Sequence, residues 1–165
     1  MNDSNNKQHA THTSSYLPDY AELFCLSNFT FLHGASHAQE LVERAVKLAY
    51  TALAVTDECS LAGVVRAHEE AKKHGFPLLI GSHFKLEQEG SDAGMTLIAI
   101  AQNREGYGNL SELITMARTR TIKGTYLITQ QDFTAPPPAY QHLRGLPDCL
   151  LILLPNYPAD VATLI

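Results

Sequence analysis

The sequence has 165 residues, the size of one ordinary domain or of part of a larger one. At 45% hydrophobic and 18% charged residues it has a globular composition, not a disordered one. Seventeen acids against twelve Lys and Arg leave a net charge of −5, which argues against a basic nucleic-acid clamp acting by itself. A place inside a larger nucleic-acid enzyme, with its basic surface elsewhere, stays open.

Three cysteines, Cys25, Cys59 and Cys149, form no Cys-x-x-Cys pair and leave one over. That pattern fits a reduced thiol-containing chain better than a disulfide framework. The sequence lacks a run of eighteen apolar residues, and the polar N-terminus lacks the apolar core of a secretory signal. The expectation is a cytoplasmic chain without membrane contact.

Residues 1–16 are almost free of large apolar side chains and read as a disordered tail ahead of a domain spanning 17–165. His9 and His12 in that tail read as solvated, not as metal ligands. Ala21 to Leu26 is a short apolar run suited to a buried strand. After a turn at His33-Gly34, the Ser36/Gln39 pair has the spacing of a helix capping box. Leu41, Val42, Ala45, Leu48 and Ala49 then recur as one helical stripe. Ala52 to Thr56 predicts a second buried strand, ending at Asp57. Leu61 to His74 predicts a second helix stopped by Gly75. Leu78 to Gly81 reads as a third strand.

Phe84 to Glu87 and Met95 to Ala101 read as strands flanking a loop at 90–94. A third helix is expected over Asn109 to Arg118, with Leu110, Leu113, Ile114 and Ala117 inward. Ala135-Pro136-Pro137-Pro138 reads as a stiff connector, and Cys149 to Leu154 as a last apolar strand. Strands and helices alternate, and the early strands are uniformly apolar, as parallel strands covered on both faces are. The fold class is therefore α/β, either an open sheet or an incomplete barrel.

In such folds, functional side chains gather at the carboxyl ends of strands. Those ends carry Phe24, Leu26, Ser27 and Asn28, then Asp57 and Glu58, then Ser82 and His83. Two carboxylates and an imidazole on one rim could bind Zn or Mn. The competing reading makes Asp57 a cap, Glu58 solvated and His83 an edge histidine. Nucleophile-elbow and P-loop motifs are absent from the sequence, and nothing in it activates Cys59 toward His83. Arg118, Arg120 and Lys123 read as the solvated basic end of a helix, not as a phosphate site.

Four motifs in order carry a family resemblance. Tyr20 to Ser36 (YAELFCLSNFTFLHGAS) resembles the opening of the PHP (polymerase and histidinol phosphatase) domain, as found in C-family error-prone bacterial DNA polymerases related to the polymerase III alpha subunit. Ala54 to Val65 (AVTDECSLAGVV) is similar to the second PHP motif, and Leu79 to Phe84 (LIGSHF) to the third. Asn103 to Thr115 (NREGYGNLSELIT) resembles a segment of the alpha-subunit family. The resemblance implies a distorted (β/α)7 barrel, truncated before closure.

It also implies a parent enzyme for translesion synthesis and DNA repair that uses Mg and contacts DNA. The parent's palm residues lie downstream, so no residue of this chain is a polymerase catalytic residue. The remaining polymerase chain, and other repair proteins, are the implied partners. Active members begin with His-x-His, whereas Phe24 and Leu26 stand at those positions here. The second motif's Asp-His pair has become Asp57-Glu58, and His83 replaces a Glu in the third. Asp57, Glu58 and His83 are thus vestigial metal candidates, and the expected role is structural, with no cofactor for this segment. The alternative is a metal-dependent phosphoesterase that uses those three residues with Zn or Mn.

Overall fold

The computed structural model describes residues 19–87 and 95–154. The tail at 1–16, the expected loop at 90–94 and the apolar C-terminus lie outside the described residues. Five strands form one open sheet in the order β1-β2-β3-β4-β5. They are β1 (Ala21–Cys25), β2 (Ala52–Val55), β3 (Leu78–Lys85), β4 (Thr96–Ala101) and β5 (Cys149–Leu154). The helices are α1 (Ala38–Lys47), α2 (Val64–His74), α3 (Arg104–Thr119) and the short α4 (Gln131–Thr134), with a 3-10 turn at Pro138–Leu143.

The pairings β1–β2 and β2–β3 are parallel, and β3–β4 and β4–β5 antiparallel. This mixed α/β sheet fits a PHP barrel that has not closed. α1 and α2 are the two crossover helices of the parallel half. They pack Val42, Ala45, Ala67 and Ala71 onto Leu53 and Val55, with Leu78 at the margin. α3 packs Leu110, Leu113 and Met116 onto Phe84, Leu97 and Ala99. Phe84 and Leu78 both occupy even positions of β3, so all three helices cover one face of the sheet. Ala54, Ile98 and Ile100 form a separate cluster with Leu79, Ile152 and Leu154 on the opposite face.

Several boundaries differ from the sequence-based expectations, each for a local reason. β1 is not a buried strand: among the described residues it has a neighbour on one side only, and Leu23 and Phe24 are 36% and 38% exposed. The α1 capping interaction sits one residue later than Ser36/Gln39, where the His37 N–H donates to Glu40 Oε2 at 2.8 Å. Leu48 and Ala49 fall beyond the helix, Ala49 with a left-handed φ of 56°. α2 starts at Val64 rather than Leu61, and Gly75 ends it at φ 60°, where a Cβ would be strained. The run at 78–81 and the start of the run at 84–87 belong to one eight-residue strand ending at Lys85, because Ser82 and His83 continue the ladder with Ala99 and Ile98. α3 begins at Arg104, five residues before Asn109, because the Asn103 side chain caps it by accepting from the Gly106 N–H at 2.9 Å.

Candidate functional site

The carboxyl ends of β1, β2 and β3 meet at one rim, and Asp57 is its hub. The Asp57 side chain is 1% exposed. Its Oδ1 accepts from the Ser27 backbone N–H at 2.8 Å and the Thr30 hydroxyl at 2.7 Å. Its Oδ2 accepts from the Ser27 hydroxyl at 2.6 Å. The carboxylate therefore faces the loop after β1 and fastens it. Gly63 keeps the approach open, since a Cβ there would lie 3.0 Å from Oδ2. The Asp57 carbonyl is held as well, accepting from the Ser82 hydroxyl at 2.7 Å. Asp57 thus ties the loop after β1 and the β3 strand to the end of β2, and it does not cap the next helix, whose N-cap is Gly63.

Glu58 points a different way. Its Oε1 accepts from the Tyr126 hydroxyl at 2.8 Å and lies 3.3 Å from the Lys85 ammonium. Burial raises its carboxyl pKa, but Tyr126, Lys85 and His83 together outweigh that and hold it below the usual range. The Tyr126 phenol is pushed up by burial and by its bond to Glu58. Glu58 is therefore an anion pinned by a hydroxyl and an ammonium, not a solvated side chain.

His83, 4% exposed, lies against β2. Its Nδ1 is 2.7 Å from the Thr56 carbonyl oxygen, which can only accept, so Nδ1 carries a proton. Its Nε2 lies 3.8 Å from Glu58 Oε2, beyond hydrogen-bond distance. Phe24 meets the ring edge-on, with centroids 5.2 Å apart. Burial lowers the His83 pKa, and the Thr56 carbonyl and the Glu58 charge oppose that only in part. The imidazole is therefore neutral at pH 7.

The structure brings Glu58 and His83 side by side and turns the Asp57 carboxylate onto Ser27 and Thr30. Phe24, at the first His position of active PHP domains, sets an apolar ring at right angles to His83 where a donor would stand. The ammonium of Lys85 stands beside Glu58, where it supplies the positive charge a metal would bring. Among the described residues, no group of three His, Cys, Asp or Glu side chains is placed to hold a metal ion. A Zn or Mn centre does not fit this donor set.

Four further residues make contacts that the sequence did not show. Tyr126 and Lys85 carried no signal in the sequence, because each reaches Glu58 across the fold rather than along the chain. Arg118 and Arg120 are exposed, as a solvated helix end is, but each is tied to a partner. Arg118 Nε donates to the Cys59 carbonyl at 2.8 Å, and Arg120 pairs with Asp132 through both carboxylate oxygens at 2.8 and 2.9 Å. Cys59 is buried, and burial pushes its thiol up to about 11, which removes it as a nucleophile. A cavity of about 670 Å³ between α2 and α3, lined by Val65, His68, Leu79 and Tyr107 among others, includes none of the three rim candidates.

An open α/β sheet with its polar residues at the carboxyl rim defines the class. The PHP domain family model matches residues 22–147, and the chain belongs to that family. A relative from Burkholderia mallei named error-prone DNA polymerase is 57% identical over 88% of this chain and 14% of its own length. One of the same name from Bordetella parapertussis is 62% identical over 86% of this chain and 14% of its own. The chain thus spans about one seventh of the curated relatives it matches. Among solved structures, one from Bifidobacterium adolescentis assigned as a metal-dependent phosphoesterase has a TM-score of 0.50 at 25% identity, covering 62% of this chain and 34% of that one. An amidohydrolase from Chromobacterium violaceum, at 21% identity and TM-score 0.50, shares the fold over 60% of this chain and 33% of its own. Among the described residues, no helix is long and apolar enough to cross a membrane.

Proposed function

We propose that this chain is the N-terminal PHP segment of a cytoplasmic error-prone DNA polymerase that copies damaged DNA during repair, and that its own role is structural. Polymerisation, with its Mg ions, deoxynucleoside triphosphates and DNA contacts, belongs to later parts of the parent chain. The observation that carries this reading is the rim itself. Asp57 is committed to Ser27 and Thr30, Glu58 is committed to Lys85 and Tyr126, and Phe24 fills the position of a ligand. Metal-dependent hydrolysis needs an ion with an open position for water, and these contacts leave too few free donors to hold one.

One observation favours the phosphoesterase reading. His83 has the tautomer of a metal ligand, with Nδ1–H on a backbone carbonyl and the Nε2 lone pair free. Against it stand Lys85 and the missing first-motif donors. An assay of the purified chain on a phosphomonoester in Mn buffer separates the two. The expected result is hydrolysis indistinguishable from buffer. Turnover that disappears in Glu58→Gln would make the chain an enzyme in its own right.

A further inference from the structure

The loop after β1 carries three exposed large apolar residues that the rim chemistry does not use. Phe31 and Leu32 are 84% and 97% exposed, and Phe29 is 39% exposed. Leu32 holds a left-handed φ of 65°, an unusual conformation for a bulky side chain. The loop is nevertheless fastened on all sides. Asp57 grips Ser27 and Thr30, and the His33 and Gly34 N–H groups donate to the Thr30 carbonyl at 3.1 and 2.9 Å. The Asn28 N–H donates to the Ser36 carbonyl at 2.8 Å. Gly34 passes so close to the Ser27 carbonyl that a Cβ there would sit 1.9 Å from its oxygen. Buried polar groups thus hold two bare apolar side chains in solvent.

We infer that this loop is a docking wedge, and that its occupant is an apolar hollow in the part of a polymerase chain that follows residue 165. The inference rests on the reading of this chain as the front of such a polymerase. Three observations select that occupant. From Leu23 to Ser36 there is no Lys, Arg, Asp or Glu, so the patch offers nothing to a phosphate backbone or other ionic partner. The loop follows directly on β1, the first strand of the sheet order, where Leu23 and Phe24 are also exposed, and downstream chain must cover that edge if the sheet closes into a barrel. The matched relatives have about six-sevenths of their length outside the part this chain covers. Pinning the wedge in advance means that docking does not have to order it.

The test uses the native polypeptide encoded by the gene, with a photo-crosslinking benzoylphenylalanine replacing Phe31, and a control with the same group at Ile122. Both positions are solvent-exposed, at 84% and 79%, so neither replacement disturbs packing within this segment. The expected result is a polypeptide several times larger than this chain, with a position-31 crosslink to a residue of the same molecule beyond 165 and none from position 122. A larger polypeptide whose position-31 probe stays unreacted, or marks a second copy or another protein, overturns the wedge and leaves the polymerase reading standing. A native mass matching 165 residues overturns both.

Discussion

At the residue scale, Asp57 is the side chain on which the rim depends. It is buried and satisfies one N–H and two hydroxyls of the β1 loop. Removing a buried acceptor strands each of its donors, at about 1–3 kcal/mol apiece. Asp57→Ala is therefore expected to lose about 3 kcal/mol or more of stability, read as a lower midpoint in urea denaturation. A loss near zero would mean that the loop is not held by this carboxylate. His83 and Glu58 give the rim an acid sensitivity with a definite sign. Both have folded-state values below their unfolded ones, so each contributes stability above its unfolded pKa and loses it as pH falls through its folded value. The first decline should begin below about pH 6.5, from His83, and the second below about 4.3, from Glu58. Urea midpoints followed from pH 7.5 to 5 should fall for the native chain and fall less for His83→Gln, which keeps a donor for Thr56. Equal slopes in the two proteins would remove His83 as the source.

At the element scale, two glycines of α3, two residues apart, behave oppositely in the fold. Gly108 is exposed with nothing near its absent Cβ, so Gly108→Ala should stabilise the helix by about 0.5–1 kcal/mol. Gly106 lies against the loop before β5, where a Cβ would stand 2.0 Å from the Asp148 carbonyl oxygen. Gly106→Ala should therefore destabilise the chain despite the same gain in helix propensity. Thermal melting of the two variants checks the sign, and matching shifts would contradict the close α3–β5 approach. The elements themselves were largely legible, since apolar runs located the strands, helical stripes located α1 and α3, and the Gly75 stop located the end of α2. Starts and ends were harder, because they depend on caps such as Asn103 and on a ladder that carries Ser82 and His83 through an apparent break. α4 and the 3-10 turn at Pro138–Leu143 escaped notice because neither is long enough to show a period.

At the scale of the whole molecule, the sequence motifs located the family and the rim, and the fold decided what the rim residues do. Asp57 and Glu58 follow the end of β2, as their motif implied, whereas His83 lies beside Glu58 from inside β3, two residues before that strand ends. Their partners came from elsewhere in the chain: Ser27 and Thr30 from the β1 loop, Lys85 from the end of β3, and Tyr126 from the segment after α3. No spacing rule links Glu58 to a tyrosine 68 positions away, so the difference between a metal centre and a hydrogen-bonded latch lay outside the reach of pattern. The sheet's open edges and the exposed wedge at Phe31 and Leu32 are likewise properties of the assembled molecule.

The central claim is that the rim is closed by the protein's own groups, with Lys85 in place of a metal cation. Calorimetric titration of Mn into the metal-free chain at pH 7.5 tests it most directly, because Mn favours the carboxylate oxygens of the rim over stray histidines. No saturable uptake is expected, and the same flat trace for Glu58→Gln. Stoichiometric Mn binding that Glu58→Gln abolishes would contradict it and restore the rim as a metal centre.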